Sequence, residues 1–194
     1  VNQTPKLMLK VFAIAMTLLT LQGCVAGVVL GTVGTAMVAN DRRTAPAQLE
    51  DETIELKANK LIRENDSLNN HTNITVISYN RTVLMIGQAP NTMLKDQAVK
   101  LVQTIPNITR LHDQIRISSP ISIGTKTHDS WLTTKIKAAM ANDNSFSYSH
   151  TKVITENSEV FLLGLVTKTE ASKATEITRN VDGVSKVTKV FEYQ

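Results

Sequence analysis

A histidine, an aspartate and a serine stand side by side at His128-Asp129-Ser130, followed at once by the only tryptophan, Trp131. The first three are the residue types of a hydrolase triad. Triad geometry, however, needs residues brought together by the fold, and neighbours in sequence adopt it poorly. His128 therefore reads as a loop residue beside a helix start. The four histidines, His71, His112, His128 and His150, are scattered without the spacing that sets two ligands on one helix face. Gly87 and Gly164 each stand singly at the end of an apolar run and make no phosphate-cradling loop. Neither catalysis nor a metal centre is expected. What remains is surface chemistry: a tryptophan between Lys126 and Lys135 suits the water–bilayer interface, where an amphipathic ring and cations are both favoured. The competing reading places Trp131 in a core or a module interface.

The lone cysteine, Cys24, rules out a disulfide within the chain and a cysteine-based metal site. It closes a segment in which Lys6 and Lys10 precede an apolar run, Val11 to Leu21, of signal-peptide length. The ending Leu21-Gln22-Gly23-Cys24 resembles the bacterial lipobox. That resemblance implies diacylglycerol on the Cys24 sulfur, cleavage before it and acylation of the new amino group. No other cofactor is expected. No charge occurs from Val11 to Ala39, which also admits an uncleaved span of the roughly 20 residues a bilayer needs. Gly23, Gly27, Gly31 and Gly34 interrupt that span, and glycine is a poor helix former. The resemblance also implies the outer membrane, because Val25 stands where an Asp would favour inner-membrane retention. Residues 25–39, and the polar stretch Asn40 to Pro46, read as a flexible tether.

Of 194 residues 42% are hydrophobic but only 4% aromatic, so any core is aliphatic. Removing Lys6 and Lys10 with the leader leaves 19 basic against 17 acidic residues. That balance excludes the basic stripe expected of a nucleic-acid binder.

The remainder repeats itself. Val83-Leu-Met-Ile-Gly87 recurs 77 residues later as Val160-Phe-Leu-Leu-Gly164. Alternating segments precede both, Ile74 to Tyr79 and Val153 to Thr155, across polar breaks at Asn80-Arg81-Thr82 and Asn157-Ser158-Glu159. Each pair predicts a β-hairpin. Ahead of them lie helical patterns on Ile54, Ala58, Leu61 and Ile62, and on Leu132, Ile136, Ala139 and Met140. Asp51 and Asp129 are expected to cap these helices. Second helices are predicted near 91–103 and 170–179, and final strands near 111–117 and 186–191. The fold class is therefore α+β: two tandem α-β-β-α-β modules, each with helices packed on a small three-stranded mixed sheet.

A repeated α-β-β-α-β unit carrying Val83 to Gly87, Val160 to Gly164 and Val181-Asp-Gly-Val184 resembles the BON domain. Ile105-Pro-Asn-Ile108 departs from the usual glycine pattern in the first copy. The division is then a leader (1–23), a lipidated N-terminus and tether (24–46), a first BON domain (47–118) and a second (125–194). With Cys24, and with Trp131 followed by Thr133-Thr134-Lys135, the chain resembles dual-BON outer-membrane lipoproteins. The resemblance implies a non-catalytic protein on the periplasmic face of the outer membrane. It also implies binding of anionic phospholipid through the second domain, support of outer-membrane integrity, and a place at division sites. The alternative is a protein-interaction or chaperone-like module acting on outer-membrane assembly proteins.

The two copies differ where binding should lie. The first helix carries Glu50, Asp51, Glu52, Glu55 and Glu64 against Lys57, Lys60 and Arg63; its counterpart carries Lys126, Lys135 and Lys137 with Asp129 alone. The expected phospholipid contacts are Ile123, Gly124, Lys126, Trp131, Leu132 and Lys135, with Ile123 and Gly124 entering the bilayer from just before the helix.

Overall fold

A computed structural model describes residues 41–143 and 147–194. The leader, Cys24 and residues 25–39 lie outside the described residues. From Asn40 onward the chain is one compact unit that contains its own cores, hairpins and helix caps, and is therefore a folding unit in itself.

The first module runs α1 (Ala45–Glu64), α2 (Asp66–His71), β1 (Asn73–Tyr79), β2 (Thr82–Ala89), α3 (Thr92–Gln103) and β3 (Arg110–Ile117). The second runs α4 (Ile123–Ala141), a 3-10 turn (Tyr148–His150), β4 (Thr151–Glu156), β5 (Glu159–Val166), α5 (Lys168–Arg179) and β6 (Lys186–Tyr193). Each sheet has three strands in sequence order. The central strand pairs antiparallel with its hairpin partner and parallel with the last strand. Both sheets are thus mixed, as the repeat predicts. The short α2 was not anticipated; Asn65 caps it at the Leu68 amide, and Leu68 is buried.

Period-2 alternation assigns the two faces of each sheet. Val83, Met85 and Ala89 of β2 face the helices of their own module, as do Val160, Leu162 and Val166 of β5. The intervening residues form a third cluster shared by both modules: Ile77, Tyr79, Leu84 and Ile86 against Phe161, Leu163 and Val190. The sheets therefore pack on each other, and β2 and all but Leu165 of β5 are buried on both faces. That explains why these strands read as unbroken apolar runs.

Gly87 and Gly164 sit inside the central strands rather than at their ends. A Cβ on Gly87, at φ +113°, would come within 1.9 Å of the Asn73 carbonyl oxygen, and one on Gly164 within 2.3 Å of that of His150. The close backbone approach demands glycine at both.

Asp51 and Asp129 are not helix caps. The hydroxyls of Thr44 and Ser122 take that role, accepting from the Ala47 and Thr125 amides. The helices begin at Ala45 and Ile123, so both aspartates lie inside them and point into the protein, 2% and 4% exposed. Asp51 accepts from the Asn80 and Arg81 amides, each at 2.7 Å, and from the Ser78 hydroxyl. Asp129 accepts from the Asn157 and Ser158 amides at 2.7 and 2.9 Å. These amides belong to the hairpin turns, whose central residues all have positive φ (50° and 62° in both). That is the left-handed pair of a two-residue hairpin whose twist matches the strands.

The polar stretch after the tether also differs from expectation. Residues 41–44 pack onto the body instead of trailing from it. Arg42 donates to both Glu170 carboxylate oxygens, at 2.7 and 2.9 Å, and to the Leu165 carbonyl. Arg43 donates to Asp41 and Asp51 and stacks 4.1 Å from the Tyr79 ring centroid. Two adjacent arginines therefore strap the second module to the first, because each finds a carboxylate largely shielded from solvent. Further links are Lys152 to Glu55, Asn80 to Glu192, Gln88 to Glu156, and Arg116 to Glu159.

Two seam carboxylates are held below their ordinary range. Burial pushes Glu159 up, but hydrogen bonds from Lys186, Thr188 and Arg116 outweigh it. For Glu170 the Arg42 hydrogen bonds dominate and bring it down from 4.5 to about 2. A carboxylate depressed by folding contributes stability fully present above its unfolded pKa and lost as pH falls through the folded value.

Two outcomes are expected. Replacing Asp129 with Ala strands two turn amides and lowers unfolding stability by about 2–4 kcal/mol in urea titrations, with Asp129→Asn losing less. Thermal melts of residues 40–194 show a loss of stability as pH falls from 4.5 towards about 2, the window set by Glu170. Arg42→Ala is less stable at neutral pH and has a shallower acid loss, because its Glu170 keeps only the Thr167 hydrogen bonds and gains less from folding.

Candidate membrane-facing site

Helix α4 is amphipathic in an uncommon sense, since its outward face also carries large apolar groups. At about 100° per residue, Leu132, Ile136 and Met140 line the inner side, and Ile123, Thr127, Trp131, Thr134 and Ala138 the outer one. The three inner residues have no exposed surface, whereas Ile123 is 84% and Trp131 55% exposed. Lys126 and Lys137 flank the outer face along one edge, and His128 and Lys135 along the other. The helix has one carboxylate, Asp129, and the hairpin turn has taken it inside. Every charge α4 presents to solvent is therefore basic.

The ring of Trp131 is braced from both sides. Lys135 Nζ sits 5.1 Å from its centroid, and the His128 ring 5.7 Å from it at an interplanar angle of 42°. Lys135 in turn donates to the Asp182 carbonyl at 3.3 Å, with the Asp182 carboxylate 3.8 Å away. The turn that places Asp182 has Gly183 at φ +102°. Its first-module counterpart uses Asn107 at φ 69°, so Ile105-Pro-Asn-Ile108 keeps the left-handed geometry that the missing glycine would supply. At the helix start, Lys126 donates to the Asn73 side chain at 3.1 Å, tying α4 to the first module.

Of the six expected contacts, the structure sets Ile123, Gly124, Lys126, Trp131 and Lys135 on the solvent side of α4. Ile123 and Gly124 are its first two residues rather than part of a preceding loop, because the Ser122 cap starts the helix earlier than the apolar pattern alone indicates. Leu132 has to be withdrawn. It is fully buried in the core with Ile136, Met140, Val153 and Val160, having turned about 100° from Trp131. His128 was misread as a loop residue; it lies within α4, three positions before Trp131, and that spacing puts both on one side. The apparent triad dissolves: Asp129 points inward, His128 outward, and the Ser130 hydroxyl donates to the Lys126 carbonyl.

The first module lacks this arrangement. Thr53 stands at the Trp131 position, and the exposed Leu49 and Leu56 share α1 with the exposed carboxylates of Glu52 and Glu64. Among the described residues, no helix is long and apolar enough to cross a membrane, and no group of three His, Cys, Asp or Glu could hold a metal ion.

Residues 50–119 and 128–194 each match the BON domain. The chain belongs to the BON-domain family, with two copies in tandem. The pairing is DolP-like: the chain is 40% identical over 173 residues to Outer membrane lipoprotein DolP of Haemophilus influenzae, covering 89% of this chain and 90% of that one. It is also 37% identical over 153 residues to the 21 kDa hemolysin of Actinobacillus pleuropneumoniae, covering 79% of each. A more distant relative is Osmotically-inducible protein Y of Escherichia coli, 25% identical over 142 residues, 72% of this chain and 70% of that one.

The burial pattern makes adjacent residues respond oppositely. Leu132→Ala is expected to cost about 2–5 kcal/mol of unfolding stability. Trp131→Ala stays within about 1 kcal/mol of the parent in the same denaturant titration.

Proposed function

We propose that this chain is an outer-membrane lipoprotein, anchored through Cys24 and facing the periplasm, that attaches to anionic phospholipid through the outer face of α4. The observation carrying this reading is the exposed Ile123–Trp131 stripe, flanked by lysines on a helix whose only carboxylate is buried. A helix with such a face lies in the plane of the bilayer interface, its apolar groups at the acyl boundary and its cations at the headgroups. Each nearby lysine contributes about 1 kcal/mol of attraction to an anionic surface. The similarity to an outer membrane lipoprotein over most of both chains supports the anchor and its location. The first module acts as the rigid partner that orients α4. In the cell this attachment supports outer-membrane integrity, including at division sites.

Binding of residues 40–194 to vesicles, read by Trp131 fluorescence, tests the site. A blue shift is expected with phosphatidylglycerol vesicles and none with phosphatidylcholine alone. Trp131→Glu, which lacks the only tryptophan and is followed by co-sedimentation with the vesicles, abolishes binding while the circular dichroism spectrum stays that of the parent. Raising salt weakens the attachment, because the lysine attraction is screened. Vesicle binding that survives high salt would overturn the lysine argument, and a Trp131 spectrum that responds to neither kind of vesicle would point instead to docking on a protein of the outer-membrane assembly machinery.

A further inference from the structure

We propose that His128 is a conditional cation of the α4 face, so that protonating its imidazole strengthens attachment to an anionic phospholipid surface; this rests on the reading of α4 given above. The imidazole is exposed on the side of α4 that carries Trp131, its ring 5.7 Å from the indole. It is held there from behind. A Cβ on Gly183 would lie only 3.7 Å from both Cε1 and Nε2, so the turn before β6 flanks the ring without a side chain to cover it.

The charged groups around it leave room for another positive charge. From α4 itself come Lys135, whose ammonium stands at the Trp131 ring, and Asp129, which is turned inward onto the Asn157 and Ser158 amides. From the adjoining turn comes Asp182, whose carboxylate is 3.8 Å from Lys135 Nζ. His128 and Lys135 thus form one edge of the outer face, opposite Lys126 and Lys137. With a neutral imidazole that edge has one cation, itself partly offset by Asp182. With an imidazolium it has two, matching the other edge.

Histidine is the side chain whose ordinary titration falls between pH 5 and 8. An imidazolium adds a cation to the outer face of α4, so attachment tightens as pH falls and loosens as it rises. A single added cation at an anionic surface corresponds to about a five-fold gain in affinity. Beside an indole, the imidazolium also gains a cation–π contact.

The test is binding of residues 40–194 to phosphatidylcholine vesicles containing phosphatidylglycerol, a phosphodiester that keeps its charge, at about pH 5.5 and about pH 7.5. The parent should bind about five-fold more tightly at the lower pH. His128→Gln should bind alike at both, and His128→Arg should bind tightly at both. Circular dichroism of each variant confirms the fold. Equal binding by the parent at both pH values overturns the proposal and leaves the lipid reading standing. So does a pH dependence that persists in His128→Gln, which would place the titrating group elsewhere. Absence of binding by the parent at either pH overturns the lipid reading, and this proposal with it.

Discussion

A buried carboxylate holds each module together at the point where its secondary structures must agree. A two-residue hairpin with both central residues left-handed turns its amides towards the protein, where they need an acceptor. Asp51 and Asp129 supply it from the first helix of each module. One side chain therefore sets the height of the helix along the hairpin, the turn conformation and the register of β1 with β2, or of β4 with β5. A shift of one residue in that register would move every core residue to the wrong face. The glycines of the central strands serve the same alignment from the other end, where β1 and the 3-10 turn ahead of β4 press on them.

The same carboxylate shapes the surface. On α4, taking Asp129 into the protein removes the only negative charge from a face that otherwise carries lysines and a histidine. Structure and surface charge are thus two outcomes of one contact. On α1, Asp51 is withdrawn in the same way, but Glu52 and Glu64 remain exposed. Both modules have the buried carboxylate, and their surrounding charges differ. The two modules consequently share a fold, yet only the second presents a cationic face with a tryptophan.

Packing sheet on sheet extends this asymmetry into a division of labour. Because Ile77, Tyr79, Leu84 and Ile86 are covered by Phe161, Leu163 and Val190, neither module offers a bare sheet face. The helices form the outer surfaces. The Arg42–Arg43 strap closes the seam with charge-assisted hydrogen bonds to Glu170 and Asp51, stronger than neutral ones. The chain thereby enters α1 already docked on both modules.

Much of this was legible in the residues. The 77-residue recurrence, the alternation of the hairpins and the helical period of Leu132, Ile136 and Met140 carry the α-β-β-α-β order, because strand and helix periods are local properties of the chain. The outward position of Trp131 follows from the same period. Local patterns were silent on distant partners. Nothing near Asp51 or Asp129 in sequence announces an acceptor for turn amides nearly thirty residues away, and an aspartate ahead of an apolar pattern reads equally well as a cap. Arg42 and Arg43 look like tether until Glu170 and Asp51 are brought to them. Leu132 and Trp131 are neighbours in sequence, and the helical period that separates them by about 100° already sends one towards the sheet and the other away from it. The elements and their order were readable from the residues alone, since these depend on periodicity. Which polar groups are neutralised inside and which face outward was decided by tertiary structure, since that depends on contacts between segments far apart in the chain.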